Sequence, residues 1–218
     1  MDGDLMEIIV LSLRVSVSSV VIAGIIGLPL GAFLATSRFT GRNGIVIALN
    51  SLMGLPPVVV GLLVYMALSN AGPLGFFQLL YTPAAMIIAQ TILITPIIAA
   101  LTRQIIEDMN AEYSEQFMSL SVPWHIRMMA LIVDARHALL TVLLAGFGRA
   151  IAEVGAVIIV GGNIAHLTRV MTTAIALETS KGELALALAL GIVLLVIALL
   201  VNAAVMALRI KSEAKAYA

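Results

Sequence analysis

The sequence contains no cysteine, which excludes disulfides, thiolate metal sites and cysteine nucleophiles. Charge is scarce as well. Asp, Glu, Lys and Arg make up 11% of the 218 residues, against about 25% in an ordinary soluble protein. Twelve basic residues balance twelve acidic ones, so no basic excess points to nucleic acid. There is no G-x-x-x-x-G-K-[ST] phosphate loop, which argues against an ATP site in this chain. Neither H-E-x-x-H nor G-x-S-x-G is present to support hydrolytic chemistry. His125, His137 and His166 are scattered without ligand spacing, so no metal site is expected. Aromatic residues are only 5%. What remains is aliphatic: 61% of the chain is hydrophobic, more than its polar residues could cover in water. The composition is that of an all-α integral membrane protein.

Charge-free runs mark the crossings, because about 20 apolar helical residues span the hydrocarbon. Val15 to Ser37 is one such run. Asn43 to Thr102 is long enough for two, with turn chemistry at Ser69-Asn70-Ala71-Gly72-Pro73 between them. His137 to Gly161 is interrupted only by Arg149 and Glu153, and Leu184 to Leu208 is uncharged. Five transmembrane helices follow, at about 9–36, 45–69, 82–102, 137–161 and 184–208, within one domain over 8–209. A loop over 103–136 lies on the inner side, a loop over 162–183 on the outer side, and a tail covers 210–218. The alternation of a membrane β-barrel is absent.

The first run opens with Asp2, Asp4 and Glu7 where a signal peptide would be basic, so it reads as a retained helix. Orientation follows from Lys and Arg in the connections. With the N-terminus outside, the inner segments hold Arg38, Arg42, Arg103, Arg127, Arg136, Arg209, Lys211 and Lys215. The outer segments hold Arg14, Arg169 and Lys181. The bias favours an outer N-terminus and a cytoplasmic C-terminus.

The inner loop carries the most information. Asn110 is a good N-cap, and Tyr113, Phe117 and Leu120 follow at i, i+4 and i+7. They predict a short amphipathic helix, reset at Ser121-Val122-Pro123 before a second segment from Trp124. Its apolar ridge either packs on its own bundle or the lipid interface, or docks into a groove on a cytoplasmic partner.

Two sets of polar residues and two sets of prolines fall inside the spans. Arg149 and Glu153 are four apart on one helix face, as a structural ion pair or as a positive charge beside an anion path. Pro56 and Pro57 must kink or break the second helix and free the carbonyls of Leu52 and Met53; the break either serves packing or lines the path. Asn50, Ser51, Gln90, Thr91 and Thr95 could hydrogen-bond a passing tetrahedral anion, or simply join helices. Pro29 and Pro96 read as ordinary kinks.

These segments resemble the type I permease subunits of ABC importers. Their inner loop carries a motif that begins Glu-Ala-Ala, with a later Gly and Leu-Pro; here the matching positions read Glu115-Gln116-Phe117, Ser121 and Val133-Asp134. LMGLPPVVVG at 52–61 with Gly72-Pro73-Leu74-Gly75 is similar to the oxyanion branch. So is GFGRAIAEVGA at 146–156 followed by GGNI. Together with TRVMTTAIALETSKGE and LALALALGI they most resemble tungstate-type permeases. The resemblance implies a homodimer with its path at the subunit interface, two cytoplasmic ATP-binding subunits carrying ATP-Mg, and an outer substrate-binding protein. It also implies alternating access in the inner (plasma) membrane. The coupling contacts to the ATPase would fall on Glu115, Phe117, Ser119, Leu120 and Ser121, and the path candidates are Asn50, Ser51, Pro56, Pro57, Gln90 and Thr95. Ser121 stands where the family has Gly, which predicts an altered turn there. The alternatives are a molybdate- or sulfate-type permease, and, from another class, an ion-gradient-driven secondary transporter.

Overall fold

A computed structural model describes residues 2–216, with side chains over 4–207. The described residues form helices and turns only. Three helices are long and apolar enough to cross a membrane alone: α1 (Asp2–Thr36), α4 (Pro83–Glu112) and α10 (Leu184–Ala216). Two bent pairs supply the other candidates, so the described residues hold three to five spans. In the first pair α2 (Arg42–Leu52) meets α3 (Pro57–Leu68) at 102°. The second joins α6 (Trp124–Asp134) to α7 (Arg136–Ile151) at 72°. Shorter helices complete the chain: α5 (Ser114–Ser119), α8 (Gly155–Gly161) and α9 (Met171–Ser180).

The helix limits correct the sequence reading in several places. The expected single helix over 45–69 is two helices nearly at right angles. At 1.5 Å per residue, α2 and α3 are each under about 20 Å long, too short to cross alone. The expected helix over 137–161 is divided at residues 152–154, between α7 and α8. The third helix does not stop at 102 but runs to Glu112, so Asn110 lies inside α4 and caps nothing. The outer loop over 162–183 contains α9, whose Met171, Thr172 and Thr173 are buried. The tail expected from 210 continues α10 as far as Ala216. Residues 217–218, and the side chains of Arg209, Lys211 and Lys215, lie outside what is described.

The core lies between α1, α4 and the α7–α8 segment. Its outer part joins Val15 of α1 to Val60 and Val64 of α3, Met86 and Leu93 of α4, and Val157 and Val160 of α8. Its middle part gathers Val20, Ile94, Ile98, Val142 and Phe147. The inner part sets Ala32 and Ala35 against Ile106, Leu131 and Leu139. Small residues allow the close approaches that bind membrane helices together. A Cβ on Gly31 of α1 would collide with the Ala99 carbonyl of α4, and one on Gly61 of α3 would lie 2.8 Å from Ala156 Cα of α8. By contrast α10 presents Leu188, Leu195 and Leu199 outward, an apolar face that suits lipid rather than water.

Candidate functional site

Two regions organise the expected functional residues: the inner loop and the broken helices at mid-bundle. The inner loop begins where α4 ends at Glu112. α5 is only six residues long, with Glu115 in its first turn, where a carboxylate favours the positive end of the helix. Its C-terminal end closes with two bonds. Val122 N–H donates to the Phe117 carbonyl (3.0 Å) and Ser121 N–H to the Met118 carbonyl (3.1 Å), the Schellman pattern. Ser121 occupies the left-handed position of that motif with φ +49°. Ser121 thus takes the backbone conformation that Gly would adopt most easily, and the turn keeps the Schellman geometry. After Pro123 the chain enters α6, and at Ala135 it turns into α7 without a proline.

The apolar ridge is divided. Tyr113 and Phe117 meet edge to face at 6.1 Å and pack on the inner core around Ile106 and Leu131. Leu120, 74% exposed, and Met118, 68% exposed, point away from it. Tyr113 is tied to the end of α6. The Asp134 carboxylate beside it raises the phenol above its ordinary pKa of 10, first by charge and then by hydrogen bonding. So the expectation of one continuous stripe is corrected: its aromatic half faces the protein's own bundle and its aliphatic tip faces outward. Ser119 is exposed, its hydroxyl turned back to the Gln116 carbonyl at 2.9 Å.

At mid-bundle, Arg149 on the last turn of α7 pairs with Glu153 in the break, Nη1 to Oε2 2.5 Å. Glu153 is 4% exposed and its other oxygen accepts the Ala156 N–H at the start of α8 (3.1 Å). The Thr172 hydroxyl of α9 donates to the Glu153 carbonyl (2.9 Å). A further backbone carbonyl near this break is met by a side chain from another helix. Gln90 of α4 donates through Nε2 to the Ala150 carbonyl (3.1 Å), and Ser19 of α1 donates to its Oε1 (3.0 Å). Gln90 is therefore buried inside the bundle, with both ends of its amide engaged. Ser12, Ser16, Gln90, Glu153 and Thr172 line a cavity of about 10 Å³, about one water molecule in size.

The Pro56–Pro57 break is different in character. The Leu52 carbonyl accepts the Leu55 N–H (3.2 Å), while the Met53 carbonyl has no donor among the described residues. Asn50, Ser51, Gly54 and Pro56 are exposed on the surface of the chain, and Ser51 returns its hydroxyl to the Ile47 carbonyl. Thr95 is half-buried and bonds the Thr91 carbonyl within α4. The six path candidates are therefore not gathered in one place: Asn50, Ser51, Pro56 and Pro57 share the α2–α3 bend, whereas Gln90 and Thr95 lie along α4.

Several organising contacts are absent from the sequence reading. Ser12, Ser16 and Ser19 form a polar line at helical spacing within an apolar span, a signal that was available. Arg42 bonds Glu107 (2.7 Å), which also pairs with Arg103. His166, read as one of three scattered histidines without ligand spacing, sits 2.9 Å from Glu7 and 4.0 Å from Asp4. Ligand atoms of these three residues lie within 4.8 Å of one another.

The chain is 42% identical over 208 residues to the tungstate uptake system permease protein TupB of Peptoclostridium acidaminophilum, covering 95% of this chain and 91% of that one. It is 41% identical over 165 residues to TupB of Campylobacter jejuni, covering 76% of this chain and 69% of the relative. A probable anion ABC transporter permease protein of Haloferax volcanii matches at 38% over 204 residues, 91% and 88% of the two chains. No family model matches the chain.

Proposed function

The chain belongs to the family of oxyanion ABC-importer permease subunits, and on that premise we propose that it forms the membrane path of a tungstate importer. It is a multi-pass membrane protein and a transport subunit rather than an enzyme. The observation that carries the substrate is the 42% identity, over 95% of the chain, to a tungstate uptake permease. In this reading each bent pair contributes one span, for five in all, with the N-terminus outside and the C-terminus in the cytoplasm. Two copies enclose the path, two cytoplasmic subunits bind ATP-Mg beneath them, and an outer binding protein delivers the anion.

The α2–α3 bend is the proposed path element. It exposes the donors of Asn50 and Ser51 on one side of the chain, where a second copy could enclose them. Neutral donors can pass a dianion along without trapping it. The Arg149–Glu153 pair serves the fold in this reading, because the carboxylate cancels much of the arginine's field 2.5 Å away. Gln90 likewise joins α1 to α7.

Coupling is proposed to run through α5. Leu120 and Met118 form the tip that enters the ATPase groove, Glu115 makes a charge-assisted contact, and Ser119 and Ser121 shape the turn. Phe117 is the inward anchor that transmits movement of the tip to Ile106 and Leu131. Closure of the ATP-bound pair would then favour the outward-open state through contacts that differ between the two states.

The test is reconstitution of the importer with Leu120→Ala and Glu115→Ala. Both should lose most ATPase copurification and tungstate-stimulated ATP turnover while keeping the thermal stability of the chain. Full retention of partner and stimulated turnover by both variants would refute coupling through α5. Equal uptake of molybdate or sulfate would overturn the choice of anion.

A further inference from the structure

At the inner end of the bundle, a cavity of about 820 Å³ lies between the end of α1, the start of α2, the last turns of α4, and α5 and α6. Three arginines line it: Arg38, Arg42 and Arg127. Glu107 is the one carboxylate on its wall among the described residues, and it is shared by Arg42 and by Arg103. With that charge matched, the wall is left with a cationic excess.

A purely structural account covers part of this arrangement. Arg42 Nε donates to the Leu34 carbonyl (2.6 Å) and Arg127 Nη2 to the Thr36 carbonyl (2.9 Å). Basic side chains at a helix C-terminus satisfy carbonyls in just this way. Yet each contact uses one of the five N–H groups of a guanidinium. Arg127 Nε is buried without a partner, as is Asn110 Oδ1 on the same wall. Arg38 makes no hydrogen bond or ion pair among the described residues, so helix capping does not explain it. Buried polar groups without partners are rare enough to need a cause.

A ring of aromatics gives the depth. Phe33 stacks on Phe39 at 6.0 Å and meets Trp124 edge-on at 6.2 Å, and all three are exposed. Aromatic rings at the end of a membrane helix sit at the headgroup level. Arg38 lies beside Phe39 in the chain, and Arg127 lies one turn beyond Trp124 on α6. The basic wall is thus at the depth of lipid phosphates.

We propose that this cavity binds a phosphate-class anion through Arg38, Arg42 and Arg127, as the headgroup of an anionic phospholipid or as free phosphate. Guanidinium forks match the oxygens of a tetrahedral anion in pairs, which fits the donors left over on Arg38 and Arg127. The Asn110 amide can turn its NH₂ towards the anion, since its oxygen has no partner to lose. Ser114 and Met118 of α5 form part of the same wall, so the bound anion tethers the inner loop to the ends of α1 and α4. This site does not depend on which substrate is carried.

The full chain, purified in uncharged detergent, tests the proposal. Native mass spectrometry would follow retention of phosphatidylglycerol, matched phosphatidylcholine and inorganic phosphate. Emission of Trp124, the single tryptophan, would report locally on binding. The expected result is saturable binding of phosphatidylglycerol at least tenfold tighter than of phosphatidylcholine. Arg38→Gln, which breaks no contact within the fold, should weaken it at least fivefold at an unchanged melting temperature. Arg169→Gln, at the opposite end of the bundle, should leave it unchanged. Saturation by inorganic phosphate alone, with the same Arg38 dependence, would identify the soluble anion as occupant. Equal retention of the two lipids with no phosphate binding, or no effect of Arg38→Gln, would overturn the site.

Discussion

Arg149 Nη1 stands 2.5 Å from Glu153 Oε2 across the break between α7 and α8, and only the carboxylate is fully buried. The arginine side chain keeps about a third of its surface open, at 34%. The carboxylate also holds the first turn of α8 through the Ala156 N–H. The pair is therefore asymmetric, and its two halves should respond differently to mutation.

Arg149→Met leaves a buried anion without its counter-charge and should destabilise the chain by about 3 kcal/mol, the low end for breaking a buried pair. The double variant Arg149→Met/Glu153→Gln should recover much of that loss, because the neutral amide can still accept the Ala156 N–H. Thermal unfolding of the four chains of this cycle in detergent measures the coupling. Additive losses would mean that the two residues act independently.

Ser121 holds φ +49° at the end of α5, a conformation that costs an L-residue about 1 kcal/mol and glycine almost nothing. Ser121→Gly should raise stability by up to that amount and preserve coupling. Ser121→Val, branched at Cβ, should lower stability and reduce stimulated ATP turnover. A melting series of the two variants checks the order; a valine variant as stable as the parent would show that the turn relaxes freely.

His166 is raised above its ordinary pKa of 6.5, chiefly by its hydrogen bond to Glu7 and then by the charges of Glu7 and Asp4. A raised pKa means that the charged tether between α1 and the outer loop is fully present below about pH 6.5. It is lost as pH rises through the folded-state value. Amide exchange over residues 163–169 should therefore quicken from pH 6 to pH 8, after correction for intrinsic rates. Glu7→Gln should flatten that difference, and an unchanged profile would break the link.

Gly31 leaves no room for a side chain against the Ala99 carbonyl. Gly31→Ala must push α1 from α4, at about 1–3 kcal/mol for overpacking. Gly148→Ala, with open space around its Cα, is the matched control and should be neutral. Equal melting temperatures for the two variants would mean that α1 and α4 slide without penalty.

Much of the architecture is legible in the chain alone. Uncharged runs long enough for the hydrocarbon determine α1, α4 and α10, because burying charge in lipid is costly wherever it falls. Two adjacent prolines determine the bend between α2 and α3, since neither can donate a helical hydrogen bond. Local physics suffices for all of these. The resemblance read at 52–61 and 146–156 points to the same family that the 42% identity over 208 residues shows.

Only the tertiary structure decided where polar groups find their partners. Ser19 meets Gln90 across 71 positions, and Arg42 meets Glu107 across 65. Nothing in the periodicity of either helix names its neighbour. The division of the inner ridge has the same cause: Tyr113, Phe117 and Leu120 share helical spacing, but α5 ends at Ser119 and the turn at Ser121 leaves Leu120 outside. Helix α9 also escaped the pattern, because its buried Met171, Thr172 and Thr173 are consecutive rather than amphipathic. The Met171 N–H and the Thr172 hydroxyl are met there by Ser12 of α1 and by Glu153 of the α7–α8 break, both distant in sequence. Apolar length and backbone chemistry are local properties that a sequence states, whereas pairing inside a membrane bundle is a property of the packed helices.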